Sequence, residues 1–308
     1  MLFSLAVTEG IGRVGSKDKS KKIEVIDVRR AYFYASAKRN VFIELPEEDS
    51  VPGMCGELDK SMYGTRDAAQ NWEFEYGEFM EGIGFTKGKS TPCLFYHEAR
   101  NLRAVVYGDD FTVLGAHHDL DWFRKRIKTR FEVEFKARLG AQEGDDKSVF
   151  LLNRPIDWTA DGITYEADQR HVEIILRDLD LKGKVNATPV PYEKWTTEEI
   201  ENPAPELVGP AATLYRAVVA RANYLSQDRP DIRYAIKELC RHMSKPTEKD
   251  MEKLKKLGRY LAGAPRLVQN MRAQAHTKFL DVWVDTDWAG CKRTRRSTNG
   301  GVSTLGDH

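Results

Sequence analysis

Two short apolar runs, Ala104–Val106 and Phe111–Leu114, are separated only by Tyr107-Gly108-Asp109-Asp110. Strand-forming runs joined by a glycine and an aspartate read as a tight hairpin. Gly108 suits the first central position of a type II′ turn, which demands a positive φ. Such a turn carries two adjacent carboxylates to the end of a rigid element. Paired aspartates at a turn are also ordinary solvated turn chemistry. They repel each other, however, and stay ionised most easily around a divalent cation. Hard oxygen donors of this kind suit Mg²⁺, which combines a few carboxylates with phosphate oxygens.

The bulk composition excludes several classes. Of 308 residues, 41% are hydrophobic and 31% charged, as in a soluble chain long enough for two or three domains. No apolar run approaches the roughly 18 residues of a membrane span, and no membrane partner is expected. Met1–Val7 is too short, and too soon followed by Glu9, for a secretory signal. Cys55, Cys93, Cys240 and Cys291 are far apart and form no C-x-x-C pair, which argues against a zinc site or a disulfide framework. The expected setting is intracellular, cytoplasmic (particle-associated) or nuclear. A net charge of +1 gives no overall basic excess for nucleic acid. Basic clusters at Arg13–Lys22, Arg124–Arg130, Lys253–Lys256 and Lys292–Arg296 are offset by acidic runs such as Glu143–Asp146 and Glu198–Glu201.

Periodicity predicts an α+β chain with helices packed on an antiparallel sheet. Met1–Thr8 reads as the end of a helix, Ile23–Ile26 as a strand closing at Asp27, and Asn40–Leu45 as another strand. Asp67 is placed to cap a helix through Met80, with Trp72, Tyr76 and Phe79 on one face. Leu94–Tyr96, Leu102–Tyr107 and Phe111–Leu114 read as strands, and Asp119 or Asp121 as the start of a helix facing Trp122, Ile127 and Phe131 inward. Val149–Leu152 and Ile163–Glu166 are expected to continue the sheet, and Asp168 to cap a helix to Leu179. Lys184–Pro210 reads as a linker. Three amphipathic helices follow: Ala212–Ser226, one begun by Pro230 at its first position, and Glu248–Leu261.

Asp27 opens the stretch Asp27-Val28-Arg29-Arg30-Ala31-Tyr32-Phe33. Followed by Tyr107–Asp110, it resembles the palm of a reverse transcriptase. Lys60-Ser61-Met62-Tyr63-Gly64 through Trp72, with Gly84-Phe85 and Lys89–Phe95, narrows the resemblance to copia-type LTR retrotransposon polyproteins. Ala187-Thr188-Pro189, Tyr215–Val218, Arg229–Ile232, Met243–Pro246 and Arg259–Leu261 are similar to the same polyprotein. Asp285–Gly290 with Arg296–Gly300 is similar to the opening of its ribonuclease H domain. The resemblance covers nearly the whole chain in order.

The resemblance implies an RNA-directed DNA polymerase that joins a dNTP to a primer 3′-hydroxyl, with RNA template and DNA primer as partners. Asp27, Asp109 and Asp110 would hold two Mg²⁺ ions as catalytic carboxylates. Tyr32 would pack under the sugar and exclude a 2′-hydroxyl. Ala31, Tyr107 and Gly108 complete the substrate-binding set, and Asp285 is the ribonuclease H remnant. The implied organisation is partial fingers and palm at 1–183, linker at 184–210, a helical thumb or connection at 211–265, and a truncated ribonuclease H-like start at 266–308. Arg138 through Asn153 resembles the segment that grips the primer strand.

Departures from the family pattern shape these expectations. Asp67 stands where the family has glutamine, and would repel triphosphate unless it caps the helix or turns away. Ala69 replaces proline, and Arg13–Lys22 is a longer insertion than usual. The family's fingers lysine and arginine lie upstream of the Asp27 strand and are absent. With Asp285 its only matched carboxylate, the last segment implies no ribonuclease H activity. The alternative is a non-catalytic nucleic-acid-binding relic of the same fold. A nucleotide cyclase finds no Gly-Gly-(Asp/Glu)-Glu-Phe turn here, and a purely structural protein leaves the aspartates unexplained.

Overall fold

The computed structural model describes residues 1–15, 20–181, 183, 185–291 and 294–308. Parts of the Arg13–Lys22 and Lys292–Arg296 clusters, and Lys184 at the start of the expected linker, lie outside the described residues. The chain divides into two compact units. The first comprises Met1–Val149, Asp157–Ile163 and Met271–Lys278; the second comprises Phe150–Ile156, Thr164–Asn270 and Phe279–His308.

The first unit is built on a six-stranded sheet. Its spatial order is Thr86–Lys87, Leu94–His97, Leu102–Tyr107, Asp110–Gly115, Lys22–Val28 and Val133–Leu139, every neighbouring pair antiparallel. Side chains alternate across it with period two. Ile26, Val28, Ala104, Val106, Phe111 and Val113 face one way, into a core shared with Trp72, Tyr76 and Met80 of the Ala68–Gly82 helix and with Leu120, Phe123 and Ile127 of the His117–Ile127 helix. Positions one residue out of phase, Asp27 and Asp110 among them, are left for the opposite face.

One charge sits in the helix-facing layer. Glu24 is fully buried and accepts from Arg124 Nε at 3.0 Å and Arg138 Nε at 2.6 Å. Arg138 Nη1 also donates to Asp121 Oδ1 at 2.8 Å. A buried carboxylate needs this pairing, so Arg138, only 8% exposed, is committed inside the sheet rather than presented to a ligand.

Several expected boundaries shift. The helix expected to start at Asp119 or Asp121 begins at His117, two residues before the first of them; Asp119 instead sits in the first turn, paired with Arg100 at 2.9 Å. Only Phe42–Ile43 of the Asn40–Leu45 run is strand, because its one partner among the described residues is the two-residue Gly56–Glu57. The strands Ser148–Leu151 and Gly162–Glu166 belong to a separate four-stranded sheet and do not continue the six-stranded one. Its last place is taken by Val133–Leu139, a strand not expected from the sequence, whose alternating Glu134, Lys136 and Arg138 suit an edge.

In the second unit, Arg170–Asp178, Gly209–Leu225, Arg233–Cys240 and Glu248–Gly263 surround a core of Ile175, Tyr215, Val219, Ile236, Leu254 and Leu257. A short helix, Thr197–Glu201, lies within the expected linker and carries a capping box between Thr196 and Glu199. Pro230 opens a 3-10 turn that leads into Arg233–Cys240. Leu280–Thr286 and Asn299–Leu305 form an antiparallel hairpin, with Leu280–Thr286 exposed along its length. No helix among the described residues is long and apolar enough to cross a membrane.

Candidate functional site

The hairpin at 107–110 turns on two residues. Tyr107 pairs with Asp110 across it, and Gly108 has φ +61°. Asp109 has no positive φ, so the turn matches the type II′ geometry expected from glycine at its first central position. Nothing lies within 4 Å of a Cβ built on Gly108, so the backbone conformation alone selects glycine there.

Two hydrogen bonds fix the tip. Val28 N donates to Asp109 O at 2.9 Å, and Trp72 Nε1–H donates to Gly108 O at 2.7 Å. Trp72 is 1% exposed and packs edge-on against Tyr76 and Phe131, so the hairpin is tied to a rigid part of the core. Trp72→Phe keeps most of the packing and deletes the donor. It should lower stability by about 1–2 kcal/mol and speed hydrogen exchange at the Val28 amide, read by denaturant melts and amide exchange. Unchanged exchange at Val28 would show that the indole does not hold the tip.

The register brings the acids together. Asp27 and Asp110 are direct Cα partners across the adjacent strands Lys22–Val28 and Asp110–Gly115, on the sheet face away from the helices. Lys136 reaches both, its Nζ donating to Asp27 Oδ1 at 2.9 Å and to Asp110 Oδ1 at 3.3 Å. The two oxygens are therefore separated by no more than those two lengths together. Lys136 arrives there through a bulge: Val25 pairs with Ala137 and Ile26 with Phe135, leaving Lys136 as the extra residue. Burial works against its ammonium, but Asp27 and Asp110 outweigh it and raise the Lys136 pKa. Burial, then the charges of Asp109 and Asp27, push the Asp110 carboxyl up despite Lys136.

The other predicted site residues are placed as follows. Asp109 sits half-buried at the hairpin tip, and Asp110 is the first residue of the returning strand and 8% exposed, so only one of the pair is truly at the tip. Ala31 is fully buried in the helix-side core, so its methyl faces away from solvent. Tyr32 stacks on Tyr63, ring centroids 4.4 Å apart. Tyr107 is 66% exposed beside the turn. Asp285 pairs with Gly300 in the exposed hairpin of the second unit. Asp67 precedes its helix without capping it through the side chain; it accepts instead from Arg39 Nε at 2.9 Å, which holds its carboxyl below the usual range. The acid that stands in place of glutamine is thus internally neutralised.

The donor set is chemically right for a hard divalent cation. No group of three or more His, Cys, Asp or Glu side chains is gathered as a metal cage among the described residues. The Asp27–Asp110 pair instead holds the Lys136 ammonium between its two carboxylates. Lys136, bridging the two acids, and Tyr63, stacked on Tyr32, are the partners of predicted site residues that sequence reasoning missed. The alternation Val133, Phe135, Ala137 against Glu134, Lys136, Arg138 was a strand signal, but no local pattern marks the bulge that aims Lys136.

Residues 14–187 match the family described as reverse transcriptase (RNA-dependent DNA polymerase). The chain is 28% identical over 303 residues to the retrovirus-related Pol polyprotein from transposon RE1 of Arabidopsis thaliana, covering 94% of this chain and 19% of that protein. It is 27% identical over 302 residues to the corresponding polyprotein from transposon RE2 of the same plant, covering 94% and 19%. Against the polyprotein from transposon TNT 1-94 of Nicotiana tabacum it is 23% identical over 293 residues, covering 92% and 21%. The chain spans about a fifth of the length of these curated relatives.

Proposed function

The chain belongs to the reverse transcriptase (RNA-dependent DNA polymerase) family, and from that premise we propose that its first unit carries the DNA-synthesising site of a copia-type retrotransposon polyprotein. The observation that carries this reading is the register of Asp27 against Asp110, with Asp109 beside them at a tied-down tip.

In this reading the 3′-hydroxyl of a DNA primer, paired to an RNA template, attacks the α-phosphorus of a dNTP. The new P–O bond forms as the bond to pyrophosphate breaks, and the hydroxyl proton leaves to solvent. Asp27, Asp109 and Asp110 are the residues that would hold magnesium, as two ions. Magnesium bound there supplies neutralisation of charge on the attacking, transferred and leaving oxygens. The chain's own part is positional. Val28 and Trp72 keep the turn from moving, and the strand pairing keeps Asp27 facing Asp110. Tyr32 would lie under the sugar and exclude a 2′-hydroxyl, with the Ala31 backbone, Tyr107 and Gly108 around the nucleotide.

The same reading assigns residues 1–183 to the palm with part of the fingers, 184–210 to a linker, and 211–265 to a helical thumb or connection. Residues 266–308 would open a ribonuclease H-like fold, with Asp285 as its first carboxylate.

Lys136 makes the metal assignment testable without turnover. Its ammonium competes with any cation for Asp27 and Asp110. Lys136→Met should therefore tighten Mg²⁺ binding, by up to about fivefold for a partly exposed pair, measured by calorimetric titration. Unchanged or weaker binding would show that the ammonium is no competitor.

Primer extension on an RNA template with dNTPs tests the reading directly. Extension that proceeds at an unchanged rate in Asp109→Asn would remove that carboxylate from the mechanism. One observation favours a second reading, a nucleic-acid binder without turnover: Lys136 already satisfies the two acids. That reading expects salt-sensitive retention of primer–template with no extension under any metal.

A further inference from the structure

We propose that Tyr63 is a positioning residue: by stacking on Tyr32 it fixes the plane of that ring and so sets how sharply the site separates deoxyribonucleotides from ribonucleotides. This rests on the reading of the site as a nucleotidyl-transfer centre.

Tyr32 lies in the 3-10 turn Ala31–Tyr34, entered through Arg30 at φ 55°. Its backbone is pinned by Phe33 N donating to Arg30 O at 3.0 Å and Ala35 N donating to Tyr32 O at 3.2 Å. These bonds fix the Cα but leave the ring two torsions. Tyr32 also packs in part against the core, and Tyr63 adds a flat stacking restraint on the ring. The two rings lie 4.4 Å apart at 27°, and Phe33 meets Tyr63 edge-on at 5.7 Å.

Tyr63 is itself well anchored. Ser61, 3% exposed, donates through its amide to Ala35 O at 2.9 Å, and its hydroxyl accepts from Asn71 at 3.0 Å. Thr65 then closes a turn onto Met62 O through its amide at 3.1 Å and its hydroxyl at 2.8 Å, around Gly64 at φ +90°. The segment is fixed while the Tyr63 ring stays 46% exposed. Burial, and then the charge of Asp109, raise the Tyr63 phenol.

A ring that excludes a hydroxyl works only as well as it resists being pushed aside. Packing alone rejects one extra hydroxyl by only about 10²-fold, so losing a supporting ring takes a visible share of that ratio. The experiment is single-nucleotide extension of a primer on an RNA template, comparing kcat/KM for matched dGTP and GTP. Tyr63→Phe should keep the wild-type ratio. Tyr63→Ala should lower it about two- to tenfold, the range an aromatic pair supplies, mainly through a lower KM for GTP. Tyr63→Leu covers the site without a flat ring and should behave like Tyr63→Ala; it stands in if the alanine variant does not fold. An equal loss of rate with both nucleotides and an unchanged ratio overturns the proposal while the polymerase reading stands. No extension by the wild-type chain with either nucleotide overturns both.

Discussion

On the polymerase reading, Asp109→Asn is expected to lower RNA-templated primer extension by at least about 10³-fold, because it removes a carboxylate proposed to hold magnesium and so forfeits several kcal/mol of transition-state stabilisation. Asp27→Asn should do the same. Neither change should unfold the protein. Asp109 is half-buried at the hairpin tip, and the contact that fixes it there is made by its carbonyl oxygen to Val28 N at 2.9 Å, which the substitution keeps. The stability change should stay within about 0.5 kcal/mol, as for surface substitutions generally.

Asp110 gives a sharper contrast. Its pKa is raised by burial and then by Asp109 and Asp27, in spite of Lys136. A carboxyl whose folded value is raised weakens the fold as pH rises from its unfolded value through the folded one. Asp110→Asn removes that ionisation. The variant should be as stable as wild type at neutral pH, or more so, while losing extension as Asp109→Asn does. That combination marks a residue kept for chemistry at the expense of the fold. Denaturant melts at pH 7 beside extension rates check it; a variant both destabilised and active would show that Asp110 is structural.

Why these acids were readable while their cationic neighbour was not follows from the range of each signal. Asp27 ends an alternating run, and Asp109 and Asp110 sit on a glycine turn whose chemistry is local. The helix Ala68–Gly82 was equally visible, since Trp72, Tyr76 and Phe79 recur at helical spacing. Lys136 is different. It reaches the site through a bulge between two strands more than a hundred residues apart in the chain, and register of that kind is a tertiary property. The Tyr32–Tyr63 stack and the Trp72–Gly108 bond are likewise products of packing, not of neighbouring letters. The start of the helix at His117 was misplaced because Asp119, a plausible cap, is used for an ion pair with Arg100.

The largest stability effect expected outside the site is that of Arg229→Met. Arg229 is 1% exposed and grips Asp231 with two parallel bonds, Nε to Oδ1 at 3.0 Å and Nη2 to Oδ2 at 2.7 Å. It also donates to the carbonyls of Ala264 at 2.9 Å and Pro265 at 3.1 Å, just past the end of the Glu248–Gly263 helix, where backbone acceptors lack partners within the helix. Methionine fills much of the same length but leaves the partly buried Asp231 carboxylate with Tyr260 and no cation. Breaking such a pair from one side costs about 3–5 kcal/mol. Replacing both members, Arg229→Met with Asp231→Leu, should recover part of that loss, because no charge is then stranded.

The pH dependence separates a stranded charge from a simple packing defect. Burial works to raise the Asp231 carboxyl, but Arg229 outweighs it, with help from Tyr260, and holds it below the usual range. In wild type its contribution is therefore present above the unfolded value and lost as pH falls through the lowered folded value. Without Arg229 the carboxyl is left to burial and its folded value rises, so the sign reverses: ionised Asp231 then destabilises the fold, and protonation relieves it. The stability gap between wild type and Arg229→Met should narrow as pH falls from 7 toward the carboxylate range. Urea melts across that interval read the gap; one that stays constant would trace the loss to packing and not to the desolvated carboxylate.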